Sequence, residues 1–169
     1  LKQQLKANKN SKNYKEMIDV QYVLRFFTMC EYWDAFPGNM DKAMDDFMKK
    51  HYKSEKKHVR EFSDKFIRSL SFCERVWGRS GFMKPNGSRR ILQGVYDIQM
   101  VCSHLLNEDE YNSAIINRER VIKSLEQLIE SDKRFTDSLT QFTSNTSNVK
   151  YRIETFLGTL KMVLNECQV

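Results

Sequence analysis

Apolar residues recur at three- and four-residue intervals through most of the chain, and few residues interrupt them. The clearest run is Val59, Phe62, Phe66, Leu70, Cys73 and Trp77, which is the spacing of one helix face and not the alternation of a strand. Only 6 Gly and 2 Pro stand in 169 residues, so backbone breaks are scarce. With 40% hydrophobic residues the chain can bury one core, while a second independent one would be a tight fit. The expected fold is all-α, an irregular bundle of about seven helices with no sheet. Residues 1–14, rich in Lys, Asn and Gln, read as a linker or frayed N-terminal helix, and residues 15–169 as a single helical domain.

Helix punctuation can be placed along the chain. Asp19 is an expected cap for a helix whose inward stripe is Val20, Val23, Leu24, Phe27 and Cys30. Within the run Val23-Leu24-Arg25-Phe26-Phe27, Arg25 and Phe26 then fall on a flank, where a second element or a partner would cover them. Pro37-Gly38 ends that helix, Asn39 caps the next, and Ser54 opens the long one that closes at Gly78 as a left-handed cap. Residues 78–88 hold three Gly and one Pro around Phe82 and Lys84 and form the clearest loop. Phe82 there either stacks on a base or partner, or plugs the core. Ser88 is the expected cap of a helix with Leu92, Val95, Ile98, Cys102 and Leu105 inward. Arg89 and Arg90 in its first turn would oppose the helix dipole, an arrangement that calls for an acidic neighbour or a bound anion. After an acidic turn at Asn107 to Glu110, Asn117, Asp132 and the polar stretch 143–148 introduce the last three helices.

Charge and motif content narrow the function. The excess of 28 Lys+Arg over 22 Asp+Glu gives +6, compatible with nucleic acid but also with an ordinary soluble surface. Cys30, Cys73, Cys102 and Cys167 are scattered without a C-x-x-C pair, which argues against a zinc site or disulfide framework. His51, His58 and His104 have no ligand-spaced partners, so no metal site is expected. No phosphate-binding glycine loop or nucleophile elbow occurs. Asp45-Asp46 and Glu108-Asp109-Glu110 are expected on solvent faces, where no burial tunes them for catalysis. No run approaches the ~20 apolar residues of a membrane span, and the N-terminus lacks a leader pattern, so the expected compartment is the cytoplasm. A start at Leu1 is what a fragment or processed chain would show. Arg25 and Arg152 remain as arginines set against apolar stripes, each able to hold a carboxylate or phosphate, or a core-edge ion pair.

Three elements occur in order: Met17-Ile18-Asp19 with Val23-Leu24-Arg25-Phe26-Phe27, then Phe72 to Gly81-Phe82, then Phe142 to Ile153 with Asn145-Thr146 and Val149-x-x-Arg152-Ile153. Over about residues 15–157 this pattern resembles the C-terminal helical part of the ParB-like N-terminal domain in GmrSD-type modification-dependent restriction endonucleases. The resemblance implies a nucleotide-dependent restriction or antiphage defence protein that senses modified DNA. In that family an upstream α/β part with an Asp-Gly-Gln-Gln-Arg sequence binds a nucleoside triphosphate with Mg. This sequence contains neither that signature, nor the Gln-Glu-x-Arg element, nor a His-Asn-His nuclease segment. No catalytic residue is therefore carried over and no cofactor is expected in this chain. Its expected role is that of a helical scaffold and DNA-contact module, with Arg25 and Arg152 bracing it against the α/β part. Expected partners are DNA, that nucleotide-binding part or a nuclease subunit, and not a membrane. The candidate binding residues are Arg25, Phe26, Phe82, Lys84, Arg89, Arg90 and Arg152. The other reading is a stand-alone helical protein-interaction domain without DNA binding.

Overall fold

A computed structural model describes residues 15–85 and 90–166 of the chain. Eight α-helices follow one another: α1 Ile18–Tyr32, α2 Met40–His51, α3 Lys56–Trp77, α4 Gln93–Leu105, α5 Glu108–Ile116, α6 Arg118–Ser131, α7 Lys133–Thr140 and α8 Thr146–Glu166. Single 3-10 turns occupy Trp33–Ala35 and Gly78–Ser80. Among the described residues no strand forms, and the one extended contact is an isolated antiparallel bridge between Met83 and Ile91. Among the described residues the all-α expectation holds, with one helix more than expected. That helix is α5, which was read as a turn: Asn107 and Glu110 form a reciprocal capping box, each side chain bonding the other's backbone N–H at 2.9 Å.

Helix α4 is the axis of the bundle. Every residue from Gly94 to Ser103 is buried, so α4 has no solvent face where a single stripe of five was expected. A helix enclosed on all sides must be surrounded by others, and α1, α3, α7 and α8 all pack on it. The buried apolar side chains of all these helices join into one cluster. Helix α4 also begins later than expected. Leu92 stands at its N-cap position, without a side-chain cap, and the expected cap Ser88 lies outside the described residues.

Other caps divide in the same way. Asn39 accepts from the Lys42 N–H at 2.9 Å and Asp132 from the Phe135 N–H at 2.8 Å, as expected. Asp19 lies in the first turn of α1 and not at its cap, which is Met17. Glu55, not Ser54, precedes α3. Gly78 closes α3 at φ 54° as required of a glycine, although its ψ of −128° takes it out of the left-handed helical region.

The tightest helix contact is made by a missing side chain. A Cβ on Gly94 would lie 2.5 Å from the Leu139 carbonyl oxygen and 2.6 Å from its Cα, so α4 and α7 meet backbone to backbone. Gly158 in α8, by contrast, has nothing within 4 Å of its Cβ position. Gly94→Ala is expected to cost about 3 kcal/mol through overpacking, whereas Gly158→Ala should gain about 0.5–1 kcal/mol from helix propensity. Urea unfolding of the two variants, read as opposite shifts of the midpoint, checks both.

Candidate functional site

The arginine in the apolar run of α1 is not on a flank. The buried face of α1 is Tyr22, Arg25, Phe26 and Met29, spaced i, i+3, i+4 and i+7, while Val20 of the expected stripe is 55% exposed. The helix is turned relative to the stripe that apolarity alone selects. Phe26 is 1% exposed, its ring 5.6 Å from Phe66 and 6.1 Å from His104. Phe27 takes the half-buried place, in an aromatic group with Phe47, Phe62 and Phe66. The chain's own helices cover Arg25 and Phe26, so of the two expected covers, a second element or a partner, it is the chain's own elements that take the place.

The turn of α1 has a polar cause. Arg25 donates through Nε to Asp97 Oδ1 at 2.7 Å and through Nη2 to Oδ2 at 2.8 Å, a two-pronged fork onto the centre of α4. Arg152 of α8 reaches the same Asp97 Oδ2 through its Nη2. Its Nη1 donates to the carbonyls of Thr143 at 2.8 Å and Ser138 at 3.2 Å. Ser138 is in the last turn of α7, where helix carbonyls lack intrahelical donors. Arg152 thus neutralises Asp97 and also terminates α7. The three residues are 5%, 1% and 0% exposed, so the chain's two arginines in apolar runs meet on one buried carboxylate.

Electrostatics follow from that geometry. Burial opposes the charged form of Asp97, but the charges of Arg25 and then Arg152, with hydrogen bonds from both, outweigh it and hold the carboxyl below its ordinary value. For Arg25 burial likewise opposes the charge and Asp97 more than offsets it, raising its pKa; for Arg152 burial and the nearby Arg25 win, lowering it. Guanidinium remains protonated in either case. A carboxylate closed to solvent and held by two cations cannot accept a substrate's proton, and the arrangement is a structural clamp.

The remaining candidates scatter. Phe82 is 2% exposed with its ring 5.0 Å from Tyr96, and its N–H donates to Gln99 Oε1 at 2.7 Å. It plugs the core and pins the loop, so it is not available for stacking on a base. Lys84 is half-buried, Arg90 is exposed ahead of α4, and Arg89 lies outside the described residues. The expectation that Arg90 loads the first turn of that helix is corrected by its start at Gln93. His51 Nε2 lies 2.9 Å from Glu31 Oε2, and among the described residues no His, Cys, Asp or Glu cluster of metal-binding size occurs. Cys30, Cys73 and Cys102 are free thiols, and burial pushes Cys30 up to about 12. No helix of the described residues is long and apolar enough to cross a membrane.

Asp97 is the residue that sequence reading missed. Its signal is a lone acid inside the otherwise uncharged Gln93–Ser103 stretch, which has to be matched by cations elsewhere. No protein-family model, curated protein or solved structure matches the chain. Its class rests on fold and site alone: an all-α bundle clamped at its centre by a buried Arg-Asp-Arg triad.

Asp97→Asn leaves two buried guanidiniums without their counter-ion and is expected to cost about 3–5 kcal/mol. Replacing all three residues by apolar ones of similar size should recover most of that loss. The folded carboxyl titrates below its unfolded value of about 3.9. Its contribution is therefore complete above that value and is lost as pH falls from there through the folded pKa. Chemical denaturation between pH 3 and pH 6 should show an acid loss in the native chain that is reduced in Asp97→Asn.

Proposed function

We propose that the chain is the helical module of a modified-DNA-dependent restriction or antiphage defence protein, similar to the GmrSD type. In this reading it serves as scaffold and DNA-contact surface for a nucleoside triphosphate- and Mg-binding α/β part and a nuclease that its sequence does not contain. The scaffold half is supported by the fate of the two motif arginines. Arg25 and Arg152, which the resemblance picks out, spend their side chains on Asp97 and on closing the bundle, so they brace the helices against one another and not, as expected, against an α/β part.

The DNA-contact half is carried by one observation, the turn between α2 and α3. Lys49, Lys50, Lys53, Lys56, Lys57 and Arg60 are all exposed there, and Tyr52 beside them is 74% exposed. Lys50 is paired with Glu31, and Lys49 lies 3.7 Å from Asp46. Lys56 and Lys57 occupy the first turn of α3, next to Glu55 at its N-cap, which makes no side-chain cap bond. Two cations at the positive end of a helix dipole outnumber that one carboxylate, and a phosphate backbone would supply a further anion. This surface replaces the buried Arg25, Phe26, Phe82 and Arg152 as the place for a phosphate contact.

The second reading, a stand-alone interaction domain, draws on Val59 and Ile67 of α3, which are 53% and 58% exposed. Duplex DNA titrated at two salt concentrations separates the two. The first reading expects affinity that falls steeply with salt, and a log–log slope that drops by about two in a Lys53→Ala, Lys57→Ala variant. Absent or salt-insensitive binding favours the interaction domain. The purified chain should hydrolyse no nucleotide, and turnover by it would overturn the scaffold assignment.

A further inference from the structure

Methionines at one-turn spacing lead out of a cavity beside the clamp. The cavity, about 400 Å³ in volume, lies between the starts of α1 and α2, with Gln93 and Ser144 completing its lining. Ile18, Tyr22, Met40 and Met44 supply its apolar surface. Met48 continues the spacing of Met40 and Met44, so the three share one face of α2. Exposure grows along that row: Met40 is 6% exposed, Met44 half-buried and Met48 47% exposed. Met17, next to Ile18, and Phe142, two residues ahead of Ser144, are both well exposed. An unbranched thioether side chain adapts to apolar partners of different shape, and exposed apolar groups of this size around a groove mark a contact surface.

The rim of this groove is acidic. Asp41 lines the cavity and Asp45 follows it by one turn, so two carboxylates run alongside the methionine row. Both are exposed, and among the described residues neither is in an ion pair, whereas the neighbouring Asp46 lies 3.7 Å from Lys49. Lys42, which follows Asp41, is exposed and pairs with neither. Among the described lining residues the one cation is Arg25, which is buried and spends its fork on Asp97. An occupant therefore meets an apolar floor and negative charge at the edge. A wholly apolar occupant would desolvate the carboxylates without a counter-charge, and an acidic one would be repelled.

We propose that this groove docks an amphipathic helix of a partner protein, one that carries Lys or Arg beside large apolar side chains. Its apolar side chains enter the cavity against Ile18, Tyr22 and Met44 and continue along Met48, while its cations meet Asp41 and Asp45. Recognition of a helix in a groove reads anchors about one turn apart, which is the repeat of both rows on α2. The inference goes beyond the functional readings above and rests on neither. The cationic turn offered to DNA lies at the other end of α2, and Val59 and Ile67 belong to α3.

The test uses the full chain, ¹⁵N-labelled, titrated with a synthetic amphipathic peptide of Leu and Lys in helical repeat. Two controls carry Glu in place of Lys and Ser in place of Leu. Saturable shifts are expected at the amides of Gln21, Asp41, Asp45 and Met48 with the first peptide and with neither control. The double variant Asp41→Asn, Asp45→Asn changes exposed positions only, and should weaken binding by about fivefold or more with an otherwise unchanged spectrum. Met48→Ser should weaken it as well. Absent or non-saturable binding, equal binding of either control, shifts centred on another acidic segment such as Glu108 to Glu110, or unchanged affinity in the double variant overturns the site. Shifts of the same amides with protein concentration alone would give the groove to a second copy of the chain and overturn it too.

Discussion

Two arginines on one buried aspartate set the geometry on which the other contacts of this bundle depend. A carboxylate placed at the centre of the most enclosed helix is stable only if cations reach it, and an unpaired ion there would cost several kcal/mol. Arg25 comes from the first helix described and Arg152 from the last, with 72 and 55 residues separating them from Asp97. The pairing therefore fixes how both ends of the chain approach α4. Apolar packing drives the collapse but tolerates rotated and shifted arrangements. A forked ion pair tolerates few, because its donors and acceptors must coincide within a few tenths of an ångström.

Neighbouring residues of α4 carry this role outward. Tyr96 donates its hydroxyl to the Tyr22 carbonyl at 2.7 Å, locking α1 one turn from Arg25. Gln99 accepts the Phe82 N–H and so ties down the loop after α3, while Gly94 lets α7 approach to backbone contact. Arg68 of α3 donates to the carbonyls of Ser103 and Leu106, each at 3.2 Å, at the end of the same helix. Tyr96, Asp97 and Gln99 of α4 are thus matched to partners on neighbouring elements. This is what allows an enclosed helix to keep polar residues at all.

Much of the fold was legible because it rests on local chemistry. Helical spacing located seven of the eight helices among the described residues, and Asn39 and Asp132 cap α2 and α7 with their side chains as expected, while Asn117 precedes α6 without a side-chain cap bond. Helix α5 was missed although its Asn107-x-x-Glu110 box was present, because three consecutive acids resemble a solvated turn. The rotation of α1 was not legible from its own residues. Apolar count favours Val20, Val23, Leu24 and Phe27 inward, and only Asp97, 72 residues from Arg25, reverses that choice. Phe26 follows Arg25 into the core because adjacent positions on a helix differ by about 100°. The expected flank failed for a tertiary reason that no window of the sequence contains.

That failure bears on how the motif itself is to be understood. An arginine and a phenylalanine inside an apolar run look like an exposed recognition pair, and an Arg-Ile pair late in the chain looks like a second one. Once both arginines are seen to end on Asp97, the spacing between the runs becomes a record of bundle geometry. A resemblance built on these residues is then a resemblance of scaffold, which would persist whether or not an α/β part accompanies the helices. Functional differences within such a scaffold have to be sought where the triad leaves charge or surface uncommitted. Among the described residues the exposed cationic turn from Lys49 to Arg60 is such a place. It lies on a surface whose side chains can vary at little cost to folding.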